Sequence, residues 1–219
     1  MKQAKRVLSV LLCLVLLLGV LPVSALAEDN EPVKVATLQE LQNALNAAAA
    51  ENSGDTTINL TADITLGADD KWQSVRVINN GGIVTLNGNK HTITGLDAPL
   101  FGSSGTGYHS GIVINDLTLK DVNINTKPDY HPGVGAFISA VDAITKVELT
   151  NCHVDGGSIS GTDTTGVGGL IGWTSGWSNT VVKIDGCSVI RCNINGDNSV
   201  GGLIGHAGAN SATYTTITD

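Results

Sequence analysis

The sequence predicts an all-β protein, a right-handed parallel β-helix that begins with an N-terminal capping helix. Three observations support this fold class. Short segments alternate apolar and polar residues between Asn, Asp and Gly turns, two sequence features recur every 33 to 35 residues, and aromatic residues make up only 4% of the 219-residue chain. A chain with so few aromatic rings must build its core from stacked β-branched and leucine side chains, as a β-solenoid does.

The N-terminal segment has the features of a secretory signal peptide. Basic residues at positions 2, 5 and 6 precede an apolar run over residues 7–21, and an A-x-A motif occupies residues 25–27. This arrangement predicts cleavage between Ala27 and Glu28. The alternative, a membrane anchor, is less favoured because the apolar run is short for a complete span and the cleavage motif follows it directly.

Removal of residues 1–27 leaves an acidic chain. The whole sequence has 12 basic and 20 acidic residues and a formal net charge of −8. The removed segment holds three of the basic residues and none of the acidic ones. Nine basic and 20 acidic residues therefore remain, which gives a net charge of −11. This excess disfavours nucleic acid and anionic lipid as partners, whereas cations or neutral glycans are compatible with it. We expect no membrane span after the signal segment.

Three cysteines remain in the processed chain: Cys152, Cys187 and Cys192. An odd number is inconsistent with a disulfide framework and leaves at least one thiol free or paired with another molecule. The C-x4-C spacing of the last two has no histidine or second cysteine pair nearby to complete a zinc site. The sequence therefore indicates no cofactor and no metal, and calcium, though conceivable in an acidic chain, has no ligand pattern here.

One helix is predicted, over residues 37–54, after a polar leader at residues 28–36. Thr37 and Glu40 form a capping box, T-x-x-E, at its start. An apolar stripe at spacings of three and four follows, made by Leu38, Leu41, Leu45 and Ala48. We expect this helix to cover the apolar end of the first coil, which would otherwise be exposed.

Two internal repeats run through the remainder, residues 55–219. The hexapeptide V-G-G-L-I-G at residues 167–172 recurs at residues 200–205, an offset of 33, and residues 134–139 are a degenerate copy. A second feature, at residues 112–117, recurs at residues 147–152 and 182–187 with offsets of 35. Because a unit of this length holds about three short strands, each unit can form one turn of a solenoid. We attribute the motif glycines to positive φ angles or close backbone approach at a bend.

The repeats predict which side chains stack on one another. Ile114, Leu149 and Ile184 form one inward ladder. A second ladder contains Leu117, Cys152 and Cys187, in which cysteine serves as a small apolar residue. A Cys152–Cys187 disulfide is the less favoured alternative, because stacking in register rarely provides the required Cβ geometry. Residues 214–219 look like the start of another coil, and we expect the chain to be a fragment of a longer surface protein.

These residues suggest a family. The V-G-G-L-I-G copies, with the N-C-H-V and G-C-S-V segments at residues 151–154 and 186–189, resemble the GLUG-motif repeats of bacterial surface and secreted proteins. The segment L-N-G-N-K-H-T-I at residues 86–93 is similar to the first turns of pectate-lyase-like right-handed β-helices. The resemblance covers roughly residues 35–219. It implies a secreted or cell-surface β-helical stalk or adhesin-like module.

Two functional hypotheses follow. The favoured one is an exported adhesin-like or structural module that binds glycan or a protein at the cell surface. The alternative is a polysaccharide lyase or glycoside hydrolase acting on uronic-acid polysaccharides. The enzymatic candidates are Asp69, Asp70 and Arg76, together with His206 in a G-H-A-G segment. Since the acids match a solvated turn and His206 occupies a variable repeat position, no catalytic residue is assigned.

Aromatic residues near polar loops are the favoured binding candidates. Trp173 and Trp177 lie in W-T-S-G-W, which we predict to be a polar loop after the first hexapeptide. Flat aromatic faces stack on sugar rings and on partner proteins. Tyr130 and His131, in the K-P-D-Y-H-P-G segment, form a second candidate because long loops on rigid scaffolds commonly carry function.

Overall fold

The computed structural model describes residues 31–78, 82–103, 110–127, 133–142, 144–175, 180–208 and 214–219. The predicted signal segment with its Ala27–Glu28 cleavage site, and the binding candidates Trp177, Tyr130 and His131, lie outside these ranges. Every strand pair in the described chain is parallel, and each strand pairs with its counterpart in the preceding or following coil. The fold is a parallel β-solenoid, which confirms the predicted fold class.

Four sheets run along the solenoid. Sheet A contains β1 (Val33–Val35), β2 (Thr56–Leu60), β4 (Ile83–Asn87), β7 (Ser110–Asn115), β11 (Ile144–Thr150), β15 (Val181–Asp185) and β19 (Tyr214–Thr218). Sheet B contains β3 (Ile64–Thr65), β5 (Thr92–Thr94), β8 (Thr118–Thr126), β12 (His153–Gly161) and β16 (Ser188–Gly196). Sheet C contains β6 (Phe101–Ser103), β10 (Ile138–Val141), β14 (Ile171–Ser175) and β18 (Ile204–Gly208). Sheet D contains β9 (Gly133–Val134), β13 (Gly166–Gly168) and β17 (Ser199–Gly201).

The helix α1 (Leu38–Ala48) begins with the predicted capping box. Glu40 N donates to Thr37 Oγ1 at 3.3 Å, and the Glu40 carboxylate accepts from the Thr37 N–H at 3.2 Å. These contacts satisfy two backbone donors that the first helical turn leaves without partners. Leu41 and Leu45 are fully buried in the core of the solenoid. The helix ends at Ala48, earlier than the predicted residue 54.

The last residues of the predicted polar leader are part of the sheet. Val33–Val35 forms β1 and pairs with β2, and Val35 is buried. Two valines within three residues favour a strand, and pairing with β2 gives that strand its hydrogen bonds. The solenoid therefore starts before α1, which connects β1 to β2.

Side chains in matching positions stack from coil to coil, as predicted. Leu149 pairs with Ile114 in the coil before it and with Ile184 in the coil after it. The same ladder extends to Ile58 and Leu86 toward the N-terminus and to Ile217 toward the C-terminus. In the hexapeptide repeat, Leu170 N donates to Leu203 O at 2.9 Å. The core is thus a set of aliphatic columns parallel to the solenoid axis.

The coils differ in length more than the repeats predict. In the coils that start at β2 and β4, side chains that contact one another are 28 residues apart, as in Asn59–Asn87 and Asn87–Asn115. The later coils have offsets of 35 and 33 residues, as in Asp116–Asn151 and Asp185–Thr218. Both internal repeats of the sequence lie after residue 111, so their spacing reflects only the longer coils.

Each later coil has four strands, whereas about three were expected. The extra strand is the first half of the hexapeptide motif, which forms sheet D, while the second half enters sheet C. The two sheets approach each other at backbone distance: a Cβ added to Gly168 would lie 2.1 Å from Ile171 O and 2.5 Å from Gly205 N. The glycines of both complete motif copies have no positive φ. Close backbone approach, and not unusual backbone conformation, explains these glycines except Gly202, which has open space around it.

Candidate ligand-binding surface

Trp173 lies in a strand and not in a loop, contrary to the sequence-based prediction. It is within β14, pairs with Ala140 and His206, and is half-buried. The strand continues through this residue because both neighbouring coils provide backbone partners. Ala140, Trp173 and His206 are thus equivalent positions in three successive coils.

Glycines of sheet D make room for these side chains. A Cβ added to Gly133 would lie 2.6 Å from the Trp173 Cβ, and one added to Gly166 would lie 2.8 Å from the His206 Cβ. Both distances are shorter than any normal contact between such atoms. The backbones of Trp173 and His206 therefore pack closely on Gly133 and Gly166, while both residues stay partly exposed to solvent.

The enzymatic candidates Asp69, Asp70 and Arg76 are exposed. The Asp70 carboxylate accepts from the Gly67 N–H at 2.8 Å, which closes a turn. Val75, which precedes Arg76, forms a single β-bridge to Phe101. Within the described ranges, no three His, Cys, Asp or Glu side chains are close enough together to hold a metal ion.

A polar groove lies at the corner between sheets A and B. Its volume is about 330 Å³. We call it the corner groove, and it is lined by Lys90, Asp116, Thr118, Asn151, His153 and Gly186. These residues come from four successive coils, so no single segment of sequence contains the site.

The corner itself is made by backbone in the left-handed region. Asp116, Asn151 and Gly186 occupy the equivalent position in three coils, with φ of 52°, 51° and 60°. Glycine, asparagine and aspartate adopt this conformation at the lowest cost among the amino acids. Because each coil turns at the same place, the short polar side chains of this corner are stacked. Asn151 Nδ2 donates to Asp116 Oδ1 at 3.0 Å.

Thr118 and His153, on the other side of the groove, belong to a ladder of polar residues at the start of sheet B. Thr92, Thr118, His153 and Ser188 are paired in that order, and all four are half-buried. His153 Nδ1 lies 2.9 Å from Ser188 Oγ. The corner groove therefore combines hydroxyl, imidazole, amide, carboxylate and ammonium groups, which together can donate and accept many hydrogen bonds.

The polar character continues one coil toward the N-terminus. The Asp63 carboxylate accepts from the Thr92 N–H at 2.9 Å and lies 3.1 Å from His91 Nδ1. The Thr92 N–H, and secondarily His91, hold the pKa of Asp63 below its usual value. An ionised carboxylate therefore adjoins this end of the polar ladder at neutral pH.

A larger cleft of about 470 Å³ lies beside the start of α1. Several of its polar groups already have partners: Thr37 caps the helix, Gln42 exchanges two hydrogen bonds with the Gln73 backbone, and Asp63 contacts His91. This cleft follows from the way α1 packs on the first coils. The corner groove is the better candidate because it repeats along the solenoid.

Comparison with known proteins gives one family. A family model described as "Putative pectate lyase-like adhesive domain" matches residues 32–160. The chain belongs to this family. The matched region of the pectate lyase-like adhesive domain starts just before β1, ends within β12, and includes five of the six residues that line the corner groove. No curated protein and no solved structure gave a significant match.

The family assignment and the fold agree on an adhesin-like β-helix module. Adhesive domains act by contact with a partner, so a surface that persists over several coils is the feature of interest. Among the helices of the described ranges, none has the length and apolar character needed to cross a bilayer. The corner groove was not predicted from the sequence because its residues are contributed by separate coils. The detectable signal was the Asp116–Asn151–Gly186 series at intervals of 35.

Proposed function

We propose that this chain is an exported cell-surface or extracellular adhesin-like module that binds a neutral glycan in the corner groove. The observation that carries the proposal is the row of polar groups in the groove, which crosses successive coils in register. Neighbouring parallel strands are about 4.8 Å apart, so equivalent groups recur at that interval along the axis. An elongated ligand parallel to the axis would meet a similar set of partners in each coil.

The chemistry of the corner groove suits sugar hydroxyls. A hydroxyl group donates one hydrogen bond and accepts others, and the groove offers both kinds of partner in Thr118, Asn151 and His153. The chain has a formal net charge of −8, which disfavours polyanionic ligands at long range. Neutral glycans avoid this repulsion, and uronic-acid polymers do not.

Trp173 is proposed as a second contact. It is half-buried on sheet C, where its ring offers a partly exposed apolar surface to a sugar or to a protein. Trp177, as part of the same candidate, and Tyr130 with His131, as a separate candidate, lie outside the described residues and stay proposals made from the sequence. A partner that used both surfaces would gain affinity from two linked contacts.

Export is proposed from the N-terminal sequence alone. Residues 1–27 have the basic start, apolar run and A-x-A motif of a signal peptide. The test is N-terminal sequencing of the protein released by an expressing bacterium. A product beginning at Glu28 supports export with cleavage, whereas intact chain retained in the cell contradicts it.

The binding test uses replacements copied from neighbouring coils, so that the fold is kept. Asn151→Gly copies Gly186 at the same corner and tolerates positive φ, and His153→Thr copies Thr118. The control, Lys183→Thr, copies Thr216 on sheet A. All proteins are applied to an array of neutral and uronic-acid oligosaccharides, and the affinity for the neutral oligosaccharide that gives the strongest signal is then measured.

We expect the Asn151→Gly/His153→Thr variant to bind at least about tenfold more weakly, because two hydrogen-bonding partners worth about 1 kcal/mol each are removed. The control should bind as the wild type does. Equal affinity of all three proteins would remove the corner groove as the site, and Trp173→Ala, which copies Ala140, then tests the second contact. Cleavage of polygalacturonate by the wild type would favour the enzymatic alternative.

A further inference from the structure

Two free cysteines are stacked in successive coils. Cys152 and Cys187 have no disulfide partner, and they occupy the same register because Thr150 pairs with Asp185 and His153 pairs with Ser188 on either side of them. They directly follow Asn151 and Gly186, two residues of the corner groove. The two cysteines therefore connect two of the coils that form the corner groove.

The two cysteines are in direct contact. Cys152 N donates to Cys187 Sγ at 3.3 Å, and Ser188 N donates to Cys152 O at 3.1 Å. Adjacent parallel strands are about 4.8 Å apart, which lies inside the range of about 4.4–6.8 Å between the Cα atoms of disulfide-bonded cysteines. The spacing of stacked Cα atoms is thus within the disulfide range, and closing the bond requires the two Cβ atoms, which stacking in register holds roughly parallel, to tilt toward each other.

The two thiols differ in accessibility and in acidity. Cys152 is fully buried, and its Sγ contacts the carbonyl oxygens of Ile114 and Thr150 at 3.4 Å. Cys187 is half-buried, so a small reagent can reach it first. The side chain of Cys152, followed by its backbone N–H, lowers the pKa of Cys187 to about 7. The hydrogen bond to Cys187 and burial raise the pKa of Cys152.

We propose that Cys152 and Cys187 form a thiol–disulfide exchange site at which a low-molecular-weight disulfide reversibly cross-links two coils of the solenoid. The Cys187 thiolate attacks one sulfur of the reagent, forming a mixed disulfide and releasing one thiolate of the reagent. Cys152 then loses its proton and attacks Cys187 Sγ, which forms the cross-link and expels the second thiolate. Two protein thiols are oxidised, and one reagent disulfide is reduced to two thiols.

The exchange fixes the spacing of the coils that carry Asn151 and Gly186. A reducing thiol reverses it by the same two steps. The chemistry depends only on the stacking of the two cysteines, so it stands or falls independently of the proposed glycan binding.

The test uses the full chain, folded, with oxidised glutathione as the probe. Cleavage after Lys and Arg places each cysteine in its own peptide: Cys13 in 7–34, Cys152 in 147–183, Cys187 in 184–191 and Cys192 in 192–219. After free thiols are blocked and the chain is digested, mass spectrometry identifies the linked peptides. We expect the 147–183 and 184–191 peptides to be joined in most molecules, with an unchanged circular dichroism spectrum.

Variants separate the proposed route from chance pairing. Cys192→Ser should give the same cross-link, Cys152→Ser should stop at glutathione bound to Cys187, and Cys187→Ser should leave Cys152 unmodified. The same chain in denaturant should show no preference for one pair. Three results would overturn the proposal. They are glutathione that stays on Cys187 in the wild type, disulfides of Cys192 as frequent as the Cys152–Cys187 disulfide, and no reaction at all in the folded chain.

Discussion

The Asn87 side chain donates its amide to Asn59 Oδ1, one coil earlier, at 2.8 Å. Asn115 repeats the contact with Asn87 at 3.0 Å. All three residues are half-buried and follow one another at 28-residue intervals. A shift of one residue in strand pairing would turn the inward side chains to the opposite face. This asparagine ladder therefore helps to fix the register of the first coils.

Replacing Asn87 with alanine should lower the free energy of unfolding by about 2 kcal/mol, because Asn59 and Asn115 both lose a partner. Chemical denaturation of wild type and variant gives this difference. The control is Thr85→Val, in the same strand as Asn87, which copies Val113, the residue paired with Thr85 in the next coil. It should change the free energy of unfolding by less than about 0.5 kcal/mol. Similar small effects of both changes would show that the ladder has no role in stability.

The same glycine position in two motif copies should respond very differently to alanine. A Cβ on Gly169 would lie 2.2 Å from Gly202 O, whereas a Cβ on Gly202 meets nothing within 4 Å. Gly169→Ala should therefore destabilise the protein by about 3 kcal/mol or more, and Gly202→Ala by less than about 0.5 kcal/mol. Thermal unfolding of both variants measures the contrast. Equal shifts in Tm would mean that the coils do not approach at Gly169 as described.

One core ladder contains both a buried and an exposed position. Leu149 is fully buried in the middle of the ladder, and Ile217 at its C-terminal end is 52% exposed. Leu149→Ala should cost about 2–5 kcal/mol through lost burial and a cavity, while Ile217→Ala should cost less than about 1 kcal/mol. Denaturation midpoints provide the comparison. A small effect at Leu149 would contradict its place in the core.

The reactivity of Cys187 should depend on pH near neutrality. Its pKa is lowered to about 7 mainly by the side chain of Cys152, whereas burial raises the pKa of Cys192 above its usual value. Since the thiolate is the reactive form, alkylation of Cys187 should be slow at pH 6 and fast at pH 8. Over that range Cys192 stays protonated and reacts slowly. Peptide mapping of a short alkylation pulse measures both rates, and matching pH profiles would contradict the hydrogen bond between the two stacked cysteines.

The aliphatic ladders and the capping box could be predicted because they depend on local spacing. Inward residues alternate along each strand, and the Ile114–Leu149–Ile184 series repeats with the coil length. The 28-residue coils were not found, although Asn59, Asn87 and Asn115 carry that period, because their flanking residues differ. Sheet D escaped prediction because strands of two or three glycine-rich residues have no recognisable alternation.

The surface was harder to predict than the core. Trp173 was assigned to a loop from its polar neighbours, but pairing with two adjacent coils extends the strand through it. The corner groove required the left-handed turns at Asp116 and Asn151 to place His153 beside Thr118. Such proximity depends on coil stacking, which no single sequence window contains.

The most direct test of glycan binding in the corner groove is residue-by-residue mapping of a bound glycan. The labelled protein is titrated with a neutral oligosaccharide selected from the array, and amide chemical shifts are followed by NMR. We expect saturable shifts at Thr118, Asn151 and His153, with none around Lys183 on sheet A. Saturable binding that leaves the amides of the corner groove unchanged would contradict this expectation.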